Sequence, residues 1–194
     1  MNKYTIVMGE YPQNCGLEKE PIEWIVLKEE EHRCLCISKY LIDCKQYHNL
    51  SEKVIWQDCT LRKWLNSDFL LSAFSSEERE NILFSNVINP AKNTHDYIFL
   101  LSCDEAKKYF DFGERGATTT AYAREQGAWF LEDDCDEKNN GCWWLRYHGE
   151  EDEEAEGKFN FISCVNFDGY IEYGADNVVA VNCCIRPAFW LKTI

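Results

Sequence analysis

No stretch of this 194-residue sequence approaches the roughly 18 uninterrupted apolar residues that a membrane-crossing helix needs. The opening "MNKYTIVMGEYPQN" also lacks the basic flank and long apolar core of a secretory signal, so a soluble, cytoplasmic chain is expected. Positive charge is scarce: 20 Lys and Arg stand against 34 Asp and Glu, a formal net charge of −14. Nucleic-acid backbones and anionic membranes reward clustered Lys and Arg, so neither is expected as a partner. Proline is limited to 4 residues, and no Pro-rich linker or internal repeat divides the chain, so residues 1–194 are read as a single domain.

Motifs that carry chemistry are also missing. There is no Cys-x-x-Cys pair; the close cysteine spacings are Cys34 to Cys36, Cys183 to Cys184 and Cys135 to Cys142, and His32, His48, His95 and His148 stand alone. None of these matches a common zinc framework. No Gly-x-Ser-x-Gly elbow and no Gly-x-Gly-x-x-Gly or Walker pattern occurs, and "GERGATTT" lacks the phosphate-binding lysine. No catalytic residue, metal ligand or cofactor is assigned. Calcium alone has raw material, in "EDDCDEKNNG", without the Asp-x-Asp-x-Asp-Gly order of an EF-hand. An enzyme using cysteine or metal chemistry stays open as an alternative, because any cysteine could meet a histidine in space.

What the chain does have is cysteine, aromatics and acid. Eleven cysteines in a chain without a visible export signal read as reduced thiols; several lie in apolar runs such as "RCLCIS" and "VNCCIRPAF", where cysteine acts as a small hydrophobe. Eleven acids fall between Glu132 and Glu156 against only Lys138 and Arg146, as two solvated loops flanking one strand would place them. They leave a second alternative, an acidic module docking on a basic protein surface.

Short β-branched and aromatic runs ("YTIVMG", "PIEWIVL", "RCLCISKYLI") predict an opening antiparallel meander. Leu61, Trp64, Leu65 and Phe69 recur at helical spacing. Ser75 with Glu78, and Ser102 with Glu105, form Ser-x-x-Glu capping boxes, and "DYIFLLS" before the second box reads as a strand. "TTTAYAREQG" reads as a helix closed by Gly127. After Ala128 only strands and loops are expected, with an Asp-Gly turn at Phe167 to Tyr170. The fold class is therefore α+β, with short helices in the first two thirds and an antiparallel, β-rich final third. Aromatics crowd that final third, and Trp143 and Trp144, adjacent on a strand, must face opposite ways. Tyr and Trp there suit a binding surface.

The order of the motifs "GEYPQ", "PIEWIVL", "LRKWLN", "AFSSEERENI", "IFLLSCDEAKKYF", "TAYAREQG", "WWLR" and "IRPAFWL" resembles an uncharacterised bacterial family, a domain of unknown function whose members carry FGxYPQ, PIEWxVL, LRxWLN, FLLSxxEA, WWLRSPG and VRPAxWL. Its closing pattern is similar to C-type-lectin-like domains of the formylglycine-generating-enzyme type. Those include retroelement-diversified variable proteins and phage receptor-binding proteins. The resemblance implies a C-type-lectin-like fold and a non-catalytic module that binds a protein, or as second choice a glycan, through the C-terminal third. It also implies a phage or mobile-element origin as one source of such a chain. It makes Trp143, Trp144, Leu145, Arg146, Arg186, Pro187 and Trp190 scaffold. It places the ligand surface at Tyr147, His148, Asn160, Asn166, Phe167, Tyr170, Glu172, Tyr173, Asp176 and Asn177. Two departures stand out: Tyr147-His148-Gly149 replaces the family's Ser-Pro-Gly, and an acidic run follows. The catalytic cysteine arrangement of the formylglycine-generating enzyme is not matched residue by residue to this sequence, so no activity is carried over.

Overall fold

A computed structural model of the chain describes residues 3–131, 139–147 and 160–193. It opens with the expected meander: β1 (Thr5–Pro12), β2 (Lys19–Glu30) and β3 (Arg33–Ser38) pair antiparallel in sequence order. Alternation sets the inner face, so Ile22, Trp24 and Val26 are buried while Glu23 and Ile25 are partly exposed. Gly9 sits at a bulge in β1 with φ +69°, where a Cβ would lie 2.6 Å from the Ala73 carbonyl oxygen. The last strand, β14 (Ala188–Lys192), returns to pair with β3, giving a four-stranded sheet in the order β1-β2-β3-β14. First and last strands thus share one sheet.

The helical spacing at Leu61, Leu65 and Phe69 becomes one continuous helical run with those side chains buried. It consists of α1 (Thr60–Trp64), a π-helical turn at Leu65–Phe69 and α2 (Leu70–Ala73). Both capping boxes form, Ser75 with Glu78 on α3 (Ser76–Arg79) and Ser102 with Glu105 on α4 (Cys103–Tyr109). Gly127, at φ +102°, follows α5 (Ala121–Glu125). "DYIFLLS" departs from expectation. Only β6 (Thr94–Asp96) is strand there, paired with β5 (Ser85–Val87), and the rest makes a single bridge, Phe99 to Ala188. Side chains take up much of its backbone instead: Asn66 Oδ1 accepts from Tyr97 N at 2.7 Å, and Arg146 donates to the Leu100 carbonyl.

A small sheet in the order β7-β9-β8 is built from β7 (Ala117–Thr118), β8 (Phe130–Leu131) and β9 (Asn140–Gly141). A five-stranded sheet holds the final third. It comprises β4 (Asp43–Cys44), β10 (Trp143–Trp144), β11 (Phe161–Val165), β12 (Ile171–Asn177) and β13 (Cys184–Ile185), in the order β12-β11-β10-β13-β4. The sequence pattern predicts an antiparallel final third, but this sheet is mixed: β11 pairs antiparallel along one edge of β10, and β13 arrives parallel on the other, with Trp143 opposite Cys184. Among the described residues the protein is mixed α and β, strand outweighing helix, and the helices are short and lie before residue 126.

One cluster of buried residues runs from Tyr11 to Phe189. Trp24 forms a three-ring cluster with Phe189 and Phe74, at 4.7 and 5.9 Å between centroids. The ten described cysteines are free thiols, and Cys15 alone among them is exposed. Among the described residues no helix is long and apolar enough to cross a membrane.

Candidate functional site

Trp143 and Trp144 point to opposite faces of the five-stranded sheet, and both are fully buried because each face has its own cover. Trp144 packs edge-on against Tyr47 and donates to the Lys45 carbonyl at 2.8 Å. Trp143 donates to the Arg115 carbonyl at 3.1 Å and lies under the Arg186 guanidinium. The indole N–H groups are therefore satisfied while the rings stay dry.

The two buried arginines are held differently. Arg146 donates to Glu105 Oε2 at 2.8 Å, to Asn89 Oδ1 at 2.8 Å, and to the carbonyls of Ile88 and Leu100. Glu105 is also the capping-box residue of α4, so one carboxylate ties the helix start to the strand. Arg186 has no carboxylate partner among the described residues. It donates to the carbonyls of Ser38 and Arg115 and sits over the rings of Phe110 and Trp143. Burial pushes its pKa down to about 9. Trp190 is half-buried on β14, with the Arg33 guanidinium 4.2 Å from its ring centroid.

Four of the expected ligand residues converge on one recess. Asn166, Phe167, Glu172 and Asp176 line a cavity of about 260 Å³ together with Trp129, Asn182, Ala175 and the thiols of Cys142, Cys164 and Cys183. The Asp-Gly turn makes this possible: Asn166 N donates to the Tyr170 carbonyl, and Gly169 takes φ +88°. Glu172 then pairs with Cys164 across the hairpin. Three residues of β12, Tyr173 to Ala175, oppose Ser163 alone before Asp176 pairs with Ile162, so both acids lie on the Cys164 face. Trp129 comes from the far side, held by its N–H to the Asn182 carbonyl at 2.9 Å, and its ring meets Phe167 at 5.4 Å.

Within the recess Asn166 is a fixed hub. Its Oδ1 accepts from Cys142 Sγ at 3.3 Å, and its Nδ2 donates to Glu172 Oε2 at 2.8 Å. Cys164 Sγ donates to Asn166 Oδ1 as well, at 3.8 Å. The bond with Cys164, then burial, pushes the Cys142 pKa far up. Burial raises Cys183 to about 12. Cys164 is pulled down by its bond with Cys142, but the bond with Cys183 and burial outweigh it and the pKa rises. All three are protonated at neutral pH and are poor nucleophiles. Burial raises the Asp176 pKa, the Asn177 N–H opposes this, and the Glu172 charge adds to it.

The remaining expected residues lie elsewhere. Tyr147 and Tyr173 both meet α4: the Tyr147 carbonyl accepts from Cys103 Sγ, and Lys107 Nζ lies 5.2 Å from the Tyr173 ring. Tyr170 is exposed at the turn, Asn160 donates to Ser51 Oγ, and Asn177 Oδ1 accepts from Val179 N. His148 lies outside the described residues, as do the acidic positions 132–137 and 150–156, most of the segment weighed for calcium among them. Among the described residues no group of three or more His, Cys, Asp or Glu is placed to hold a metal ion. Sequence reasoning missed Trp129, Asn182 and the thiol floor. A tryptophan just after a helix-closing glycine was the one local signal for Trp129.

A family model described as "Domain of unknown function (DUF6273)" matches residues 31–193. No curated protein and no solved structure matches the chain.

Proposed function

The chain belongs to the DUF6273 domain family, whose description names no activity, and from that premise we propose a non-catalytic recognition module that binds a protein ligand through its C-terminal third. The observation that carries this reading is the recess at the β11–β12 hairpin. Four residues expected to face a ligand meet there beside an exposed tryptophan, on a frame fixed by a tight turn and a hydrogen-bonded asparagine. Preorganised polar groups around aromatic contact area are what recognition sites require. Protonated thiols give the cysteine-enzyme alternative little support at this place.

We read the architecture as C-type-lectin-like. In support, the first and last strands share a sheet, and the hairpin that carries the recess precedes the final strand. A glycan is the second reading, favoured by the Trp129 ring standing next to amide and carboxylate groups.

The test is affinity purification with the tagged chain beside an Asn166→Ala, Tyr170→Ala double variant whose folding is checked by circular dichroism. The expected result is a partner recovered by the parent chain and lost by the variant. Equal recovery by both would refute the hairpin as the ligand surface.

A further inference from the structure

Three acids in or beside the core are tied to basic partners. Asp43 accepts from Tyr11 Oη at 2.6 Å with Lys45 at 3.4 Å; Asp96 holds Arg62 at 2.6 Å together with Trp56 and Thr94; Glu105 holds Arg146. Even the basic recess between Lys3 and Lys39 is balanced, by Glu114 and Glu23. Glu172 and Asp176 differ. Glu172 is exposed and Asp176 half-buried; among the described residues neither has an ion-pair partner, and both line a concave site that also presents the rings of Trp129 and Phe167. Glu172 Oε2 takes one amide hydrogen bond from Asn166, and Asp176 Oδ1 takes only the neighbouring Asn177 N–H.

Resting on the recognition reading above, we propose that this recess takes the guanidinium of an arginine side chain presented by the protein ligand. Two carboxylates supply paired acceptors for a planar five-donor fork, which a single ammonium cannot match. Trp129, 44% exposed and tilted 56° against Phe167, gives the face on which a guanidinium stacks. The volume, about 260 Å³, fits one side chain rather than a larger ligand.

The test titrates the whole chain with N-acetyl-arginine amide, its neutral isostere N-acetyl-citrulline amide, N-acetyl-lysine amide and calcium chloride, following the Trp129 indole N–H by NMR. The arginine amide should shift that resonance with an affinity of about 1 mM, as expected of one isolated side chain. The citrulline compound should leave it unmoved. Glu172→Gln or Asp176→Asn should each weaken arginine binding about tenfold, the loss of one charge-assisted contact. Both substitutions conserve shape, and unchanged shifts elsewhere in the spectrum verify their folding. Equal response to citrulline, response to lysine or calcium without arginine, or no response at about 20 mM arginine amide overturns the proposal. A partner that is lost on the Asn166, Tyr170 variant, in a protein that ignores arginine, would leave the recognition reading standing and remove this inference alone.

Discussion

Replacing Arg146 by methionine keeps the unbranched apolar stem and removes only the charged fork. Two neutral acceptors then lose their donor in the interior, Asn89 Oδ1 and the Leu100 carbonyl, while the carbonyl of the exposed Ile88 can turn to water. Each stranded acceptor costs about 1–3 kcal/mol. Glu105, whose side chain is 32% exposed, can rehydrate and keeps its bond from Ser102 N, so it adds little. With partial relaxation the loss should be about 3–5 kcal/mol, the range for breaking one side of a buried pair. For a chain of this size that corresponds to a fall in Tm of about 10 °C. Arg186→Met supplies the contrast. It takes a donor from the Ser38 carbonyl and from the Arg115 carbonyl, which keeps the Trp143 indole, and also removes a desolvated charge that no carboxylate among the described residues offsets. Its cost should be smaller, about 1–2 kcal/mol. Urea unfolding followed by tryptophan fluorescence measures both, with an unchanged slope confirming that the midpoint shift reports stability. If Arg146→Met costs under about 1 kcal/mol, or no more than Arg186→Met, the reasoning about stranded acceptors fails.

Gly169→Ala should destabilise by about 3 kcal/mol, because φ +88° disfavours any side chain and a Cβ would lie 2.3 Å from the Phe112 carbonyl oxygen; a chemical-denaturation midpoint within error of the parent would contradict this. Asp176→Asn should raise Tm near neutral pH while weakening ligand binding. The folded pKa of Asp176 lies above its ordinary value of 3.8, so its ionised form costs stability above that folded pKa, and the cost vanishes below 3.8, where folded and unfolded states are both protonated. Thermal melts at about pH 7 and pH 3 check the sign, and a gain that persists at the acid pH would count against the assigned cause.

Short-range features were legible in the sequence because their partners are neighbours in the chain. The capping boxes at Ser75 and Ser102, the closing Gly127 and the turn at Gly169 each join residues at most a few positions apart. The alternation of β2 likewise declares its buried face without reference to anything distant. The meander and the hairpin followed from such signals. "DYIFLLS" misled because an apolar run satisfies its backbone either in a ladder or on side chains. The side chains of Asn66 and Arg146, about 30 and 46 positions away, decided the matter.

The candidate site divides along the same line. Asn166, Phe167, Glu172 and Asp176 belong to one hairpin, so their shared location could be expected from the turn between them. Trp129 and the thiols of Cys142 and Cys183 could not, because the parallel pairing of β10 with β13 brings the two cysteines together and the backbone bond from Trp129 N to Asn182 adds the ring, each across a long sequence separation. The fate of Trp143 and Trp144 is similar. Alternation alone required that they face opposite ways, but only the tertiary structure supplied a cover for each, Tyr47 on one side and Arg186 on the other. Local geometry is written in backbone preference and spacing, and the sequence by itself determined it. Which distant side chains compensate a buried charge, and which acids are left without an ion-pair partner, was decided only when the sheets assembled.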